Sequence, residues 1–221
     1  MTDSPMTYSL RTTGEGQASP GRRERRRLQT RERIFRAAMQ LFAVRGFFAT
    51  TVEDITEAAD VGKGTFFNYF PSKEHVLTVL HEIQLGKVSG ALEQASAGKH
   101  SVQEILHQLA RRVVEEPGRS QPLARGLIAT LLSNDVVRDA MGGTMMRGRD
   151  LLAKILAIGR KRGEIRTDIS LEEMAGAFQQ CLLGTVLIWS IRPQDNLKKH
   201  VDVAFKIFWS GASTPTSGVK R

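Results

Sequence analysis

Between residues 50 and 73 the chain reads TTVEDITEAADVGKGTFFNYFPSK. Its polar side chains are of the types, and at the spacings, that could hydrogen-bond a nucleic acid. Asn68 carries the donor and acceptor pair that fits the edge of adenine, and Thr65 can touch a thymine methyl or a phosphate. Lys63, Tyr69 and Lys73 can reach phosphates. At roughly 100° per residue, Phe66 and Phe70 fall on one side of a short helix, and Gly64, Phe67 and Asn68 on the other. The aromatic pair would pack inward and leave the second set facing a groove. Gly64, lacking a side chain, would let the backbone come close to DNA. An ordinary exposed helix in a helical protein is the competing account of each residue taken singly. What favours recognition is the whole string and the elements around it.

Those elements can be read locally. Thr51 followed by Asp54 is a helix-start signature, because both side chains can take up orphan backbone donors. Val52, Ile55, Ala58 and Ala59 then recur on one apolar face. Asp60-Val61-Gly62 breaks the pattern, with Gly62 expected to take up the unusual backbone angles of the turn. A second helix runs from about Lys63 to Phe70. Pro71 stops it, and Ser72 is placed to cap the next. Helix, tight turn and second helix make a helix-turn-helix, whose second helix lies in the major groove.

At these residues the chain resembles the DNA-binding domain of tetracycline-repressor-type (TetR family) transcription regulators. The resemblance rests on Arg33-Ile34 through Leu41-Phe42, Gly46-Phe47, Thr50-Thr51-Val52, Ile55, Ala58-Ala59 and Val61. It continues through Lys63-Gly64-Thr65, Tyr69-Phe70 and Ser72-Lys73-Glu74. It implies an all-α, dimeric regulator that represses transcription until a small molecule binds its C-terminal domain. With the local reading above, the expected DNA contacts are Thr51, Lys63, Gly64, Thr65, Phe67, Asn68, Tyr69 and Lys73. The chain departs from the family in three places. Gly62 stands where the family often has a hydroxyl, and Phe67 and Asn68 stand where tyrosines are common. The operator sequence is therefore not legible.

The formal net charge of +9 suits a polyanionic partner, DNA or an anionic membrane surface. Residues 22 to 36 hold eight arginines against two glutamates, a local balance of +6 that makes up most of that charge. Residues 1–26 are expected to be a loose basic arm. It would either enter the minor groove or only add non-specific attraction. The first 20 residues and the tail 211–221 lack an apolar period and read as disordered, with no secretory leader. The apolar stretch Cys181 to Ile191 is shorter than the roughly 20 residues that cross a bilayer. A cytoplasmic protein without membrane contact is expected. Cys181 is the only cysteine and reads as a core residue. No phosphate loop, nucleophile elbow or paired-histidine zinc motif is present, so neither enzyme, cofactor nor metal is expected.

The rest reads as successive helices in a domain 27–87 carrying the helix-turn-helix and a second domain 88–210. The expected spans are Leu28–Val44, one beginning near Ser72, one capped by Ser101 and Glu104, Leu123–Leu132, Met145–Lys161, one capped by Ser170 and Glu173, and Asp195–Trp209. The helix beginning at Ser72 is expected to touch both domains. The family resemblance implies an effector pocket for a small lipophilic molecule, with Leu106, Leu109, Leu127, Leu131, Met141, Met145 and Phe178 as candidate lining. Arg112, Arg125 and His107 are candidates for orienting a polar group. Phe178, Leu182, Val186, Trp189, Val201, Phe205 and Phe208 line the faces of the last two helices. Those faces either close a four-helix bundle with a second copy or pack within one monomer. The reading is a dimeric regulator on a palindromic double-stranded operator. Control without a small molecule and a basic membrane-surface protein remain alternatives.

Overall fold

The computed structural model describes residues 21–192 and 196–214, so the expectations for residues 1–20, Asp195 and residues 215–221 lie outside it. Among the described residues the chain is all-α. The helices are α1 (Arg22–Arg45), α2 (Val52–Ala58), α3 (Lys63–Tyr69), α4 (Lys73–Ala97), α5 (Val102–Val113), α6 (Gln121–Ser133), α7 (Asp135–Lys161), α8 (Leu171–Ile191) and α9 (Leu197–Ala212). A 3-10 turn, Pro117–Arg119, precedes α6. The one extended pairing there is an isolated bridge between Ile165 and Ser213.

Local chemistry sets many of the starts. Reciprocal capping boxes form at Thr51 and Asp54, Ser101 and Glu104, and Ser170 and Glu173. Ser120, Asn134 and Asn196 cap α6, α7 and α9 with one side-chain acceptor each. Each such cap contributes about 1 kcal/mol. Ser72 stands at the N-cap of α4, but its hydroxyl turns to Glu74 Oε2 (2.5 Å) and His75 Nδ1 (3.0 Å) and caps no backbone donor.

Three boundaries correct the sequence reading. Helix α1 begins at Arg22, so residues 22–26 are exposed helix and not a loose arm. Arginine is a good helix former, and no Gly or Pro interrupts the run, so a helix with no core to cover still propagates outward. Helix α7 begins at Asp135, ten residues before Met145, because the Asn134 side chain accepts from the Val137 N–H. In the segment read as a loose tail, Thr214 is held in place, its N–H and hydroxyl donating to the carbonyls of Glu164 (3.0 Å) and Gly163 (2.7 Å).

Two apolar cores result. The first gathers Ile34, Phe35, Ala38, Met39 and Phe42 of α1 with Phe47, Ile55, Phe66 and Phe70. The second is built from α4, α5, α7, α8 and α9. Helix α4 enters both, through Val76, Leu77, Val79 and Leu80 at one end and Val88, Ala91 and Ala95 at the other. The boundary read at residue 87 is also crossed by α6, whose Leu123 is fully buried in the first core. Gly126 of α6 touches Phe47 so closely that an added Cβ would lie 2.7 Å from the Phe47 Cβ. Ser120 Oγ, at the start of α6, donates to the Ala43 carbonyl at 2.7 Å.

The last two helices turn a different face outward from the one expected. Phe178, Val186, Trp189, Val201, Phe205 and Phe208 are buried in the monomer's own second core, and Leu182 packs against it. Phe178 and Phe208 meet edge to face at 5.3 Å. The large apolar residues left exposed are Leu183, Leu187, Ile188 and Ile191 of α8 and Val203 and Ile207 of α9, with Ile191 at 64% and Ile207 at 67% exposure. Both helices are apolar over much of their circumference, so periodicity alone could not assign the inner face. Helix α8 also extends the apolar stretch read from Cys181. By length and composition it could span a bilayer, yet its buried residues pack on α6, α7 and α9.

Candidate nucleic-acid interface and effector pocket

Helix α3 is anchored from below. Phe66 and Phe70 are 0% and 2% exposed, and their rings lie 5.7 Å apart within the first core. That fixes the rotation of a seven-residue helix too short to hold its own shape. Gly64, Phe67 and Asn68 then face solvent together, with Lys63 exposed and Thr65 and Tyr69 half-buried beside them. A Cβ at Gly64 would meet nothing within 4 Å, so its missing side chain serves no internal packing.

The turn before α3 is built differently from the expectation. Asp60, with φ of 49°, takes the left-handed conformation, while Gly62 sits in ordinary extended geometry (φ −74°, ψ 154°). Asp is among the few non-glycine residues that tolerate this region. Arg33 of α1 donates to the Asp60 carbonyl at 3.3 Å and pins the turn to the first helix.

Other polar residues of the expected set already hold partners. The Thr51 hydroxyl both accepts from the Asp54 N–H (3.1 Å) and donates to its carboxylate (2.7 Å). The backbone hydrogen bond from Thr51 leads the causes that hold the Asp54 carboxyl below the ordinary range. Lys63 pairs with Glu53, and their hydrogen bond lowers the Glu53 carboxyl. Lys73 is the clear correction. Its ammonium donates to the carbonyls of Phe47 (3.0 Å) and Thr50 (2.9 Å) and lies 4.6 Å from the centre of the Phe47 ring. Two of its three donors are committed to the loop between α1 and α2. It ties that loop to the start of α4 and is not a freely swinging phosphate contact. Behind it, the Arg31 guanidinium makes a paired contact with Glu82, 3.0 Å on each arm, joining α1 to α4.

A cavity of about 220 Å³ lies among α4, α5, α6, α7 and α8. Leu109, Leu127, Leu131, Met141, Met145 and Phe178 line it. Leu106 does not; it is 1% exposed and packs in the second core. The polar candidates are also elsewhere. His107 binds Asp202 at 2.8 Å and stacks on Phe205, Arg125 donates to the Ser190 carbonyl, and Arg112 is exposed. The sequence reading missed Leu77, Leu80, His81, Gln84 and Val88 of α4, which form part of the wall. Helix α4 serves both cores, so its apolar residues mark no single face and the pocket-facing ones do not stand out in the sequence. Burial pushes the His81 imidazole below its usual range, so it stays neutral near pH 7.

Comparison with known proteins adds to this geometry. The family model described as "Bacterial regulatory proteins, tetR family" matches residues 34–80, and "TetR/AcrR family transcriptional repressors, C-terminal domain" matches residues 79–211. The HTH-type transcriptional regulator TcmR of Streptomyces glaucescens is 32% identical over 216 residues, 82% of this chain and 91% of TcmR. Thermus thermophilus FadR, a TetR family transcriptional repressor solved in complex with lauroyl-CoA, superimposes with a TM-score of 0.58. It is 33% identical, and the match covers 86% of this chain and 100% of FadR. A TetR-family regulator from Cytophaga hutchinsonii, 21% identical, shares the fold over 86% of this chain and 98% of its own, with a TM-score of 0.63.

Proposed function

Since the chain belongs to the tetR family of bacterial regulatory proteins and is a DNA-binding transcription regulator, we propose that it is a repressor released by a small lipophilic ligand. It grips a palindromic operator as a homodimer. The observation that carries the reading is the strip Gly64, Phe67 and Asn68, exposed on a helix whose rotation is locked by two buried phenylalanines. Asn68 reads a base edge, Phe67 makes apolar contact, Tyr69 meets a phosphate, and Lys63, whose exposed pair with Glu53 can open, meets another.

Two copies join through Leu187, Ile188, Ile191, Val203 and Ile207, the apolar strip that α8 and α9 leave uncovered. Such a pairing sets two recognition helices about one DNA turn apart, roughly 34–36 Å. The cavity supports control by a ligand over control by abundance alone, because a filled interior would have left no room for one. Its walls include α4 and α6, the two helices that also enter the DNA-binding core. A ligand that fits only the DNA-incompetent arrangement therefore lowers operator affinity, with a coupling of about 1–3 kcal/mol. The related Thermus repressor was solved with lauroyl-CoA, a ligand whose lauroyl chain is apolar.

Genome-wide binding-site selection with purified protein supplies the operator. Asn68→Ala should then weaken that operator by about 1–3 kcal/mol while leaving random duplex unchanged, as read by fluorescence anisotropy. Equal losses on both duplexes would remove Asn68 from base readout. Failure to enrich any symmetric site would sink the proposal.

A further inference from the structure

Among the described residues, the cavity wall contains no Asp, Glu, Lys or Arg. Its polar side chains are Thr144, Gln179, His81 and Gln84. Two of these are satisfied within the protein. The Thr144 hydroxyl donates to the Ala140 carbonyl at 3.0 Å. The Gln179 amide donates to the Met145 carbonyl at 2.9 Å and accepts from Arg149.

The other two stand one turn apart on α4 and differ in kind. Gln84 Nε2 donates to the Val113 carbonyl at 2.9 Å, which fixes the amide and identifies Oε1 as an acceptor. That Oε1 and the Nδ1 of His81 are both buried with no hydrogen-bond partner. A buried acceptor without a donor is costly, and native proteins seldom leave one unmet. The apolar walls would leave a guest's own charge unpaired, which is costlier still. His81, kept neutral by burial, offers no cation to compensate.

Resting on the effector-pocket reading, we infer that the ligand is uncharged inside the cavity and carries a hydroxyl or N–H that donates to Gln84 Oε1 and hydrogen-bonds His81 Nδ1. An alcohol or a phenol fits this pair, because one oxygen both donates and accepts. A carboxylate fits neither the charge nor the acceptor. A hydrocarbon or ether body fills the walls but leaves Gln84 unmet.

Titration calorimetry on the full chain at pH 7.5 tests this with three probes sharing one two-ring body: 2-naphthol, 2-methoxynaphthalene and 2-naphthoate. The naphthol should bind about tenfold tighter than the ether, the difference of one hydrogen bond in a dry site. The naphthoate should bind at least about tenfold more weakly than the naphthol. Gln84→Met and His81→Phe should each bring the naphthol toward the level of the ether and leave the ether within about twofold. Met145→Trp, which fills the cavity, should weaken all three. Naphthoate binding as tightly as naphthol, or naphthol no better than the ether, overturns the inference while the pocket reading survives. If none of the three binds the unsubstituted protein, the pocket reading falls and this inference with it. The comparison among probes on the unsubstituted chain holds even if a variant fails to fold.

Discussion

At the scale of single residues, partners decide roles more than residue types do. Lys73 has the chemistry of a phosphate contact, yet it spends two donors on the carbonyls of Phe47 and Thr50. Lys73→Met should therefore lower folding stability by about 1–3 kcal/mol, measured by urea denaturation, since two carbonyls lose a charged donor. Were Lys73 purely a phosphate contact, stability would hold and only the salt dependence of binding would fall, by about one counterion. Asp202 offers a test by pH. The Arg111 guanidinium, with His107 beside it, holds its carboxyl at about 2, below the ordinary 3.8. A depressed carboxyl stabilises the fold above the unfolded value and loses that contribution as pH falls through the folded one. The ion pair thus supports the second domain above about pH 4 and fades toward pH 2. In Asp202→Asn the urea midpoint should fall at pH 7 and change less than the parent's across that acid window. None of this partnering was legible in sequence, because each contact joins residues far apart in the chain. The cap at Thr51 and Asp54 was legible, since both partners lie within one turn.

At the scale of elements, the helix-turn-helix was readable because the spacing of Phe66 and Phe70 fixes which side of α3 is free. Helices α8 and α9 were harder. Apolar residues occur almost all round them, and only the packing of Val201 and Phe205 against α5 and α8 decides which strip is left over. The cavity was legible in its α5, α6 and α7 walls and missed in α4, where a helix serving two cores has no single apolar face. Helix α6 shows a close contact that no sequence pattern announces. Gly126→Ala would set a methyl 2.7 Å from the Phe47 Cβ. The substitution should destabilise the protein by about 1–3 kcal/mol, read as a lower melting temperature, because neither backbone can yield freely. It should also push α6 away from the loop that Lys73 holds and so change operator affinity without touching DNA.

For the molecule as a whole, the exposed strip on α8 and α9 predicts the assembly. Ile188→Glu combined with Ile207→Glu should give a monomer by sedimentation velocity, with helicity by circular dichroism retained. Operator affinity should drop by roughly 10²-fold or more, because the second half-site then binds as a separate event. A dimer that survives both charges would place the interface elsewhere. The sharing of Leu123 has a practical meaning for anyone building hybrid regulators. A head excised at residue 87 and spliced onto a foreign body leaves behind the leucine around which its interior closes. A viable graft must carry residues 120–127 along with it, so the DNA-reading head is exchanged together with part of the second domain or not at all.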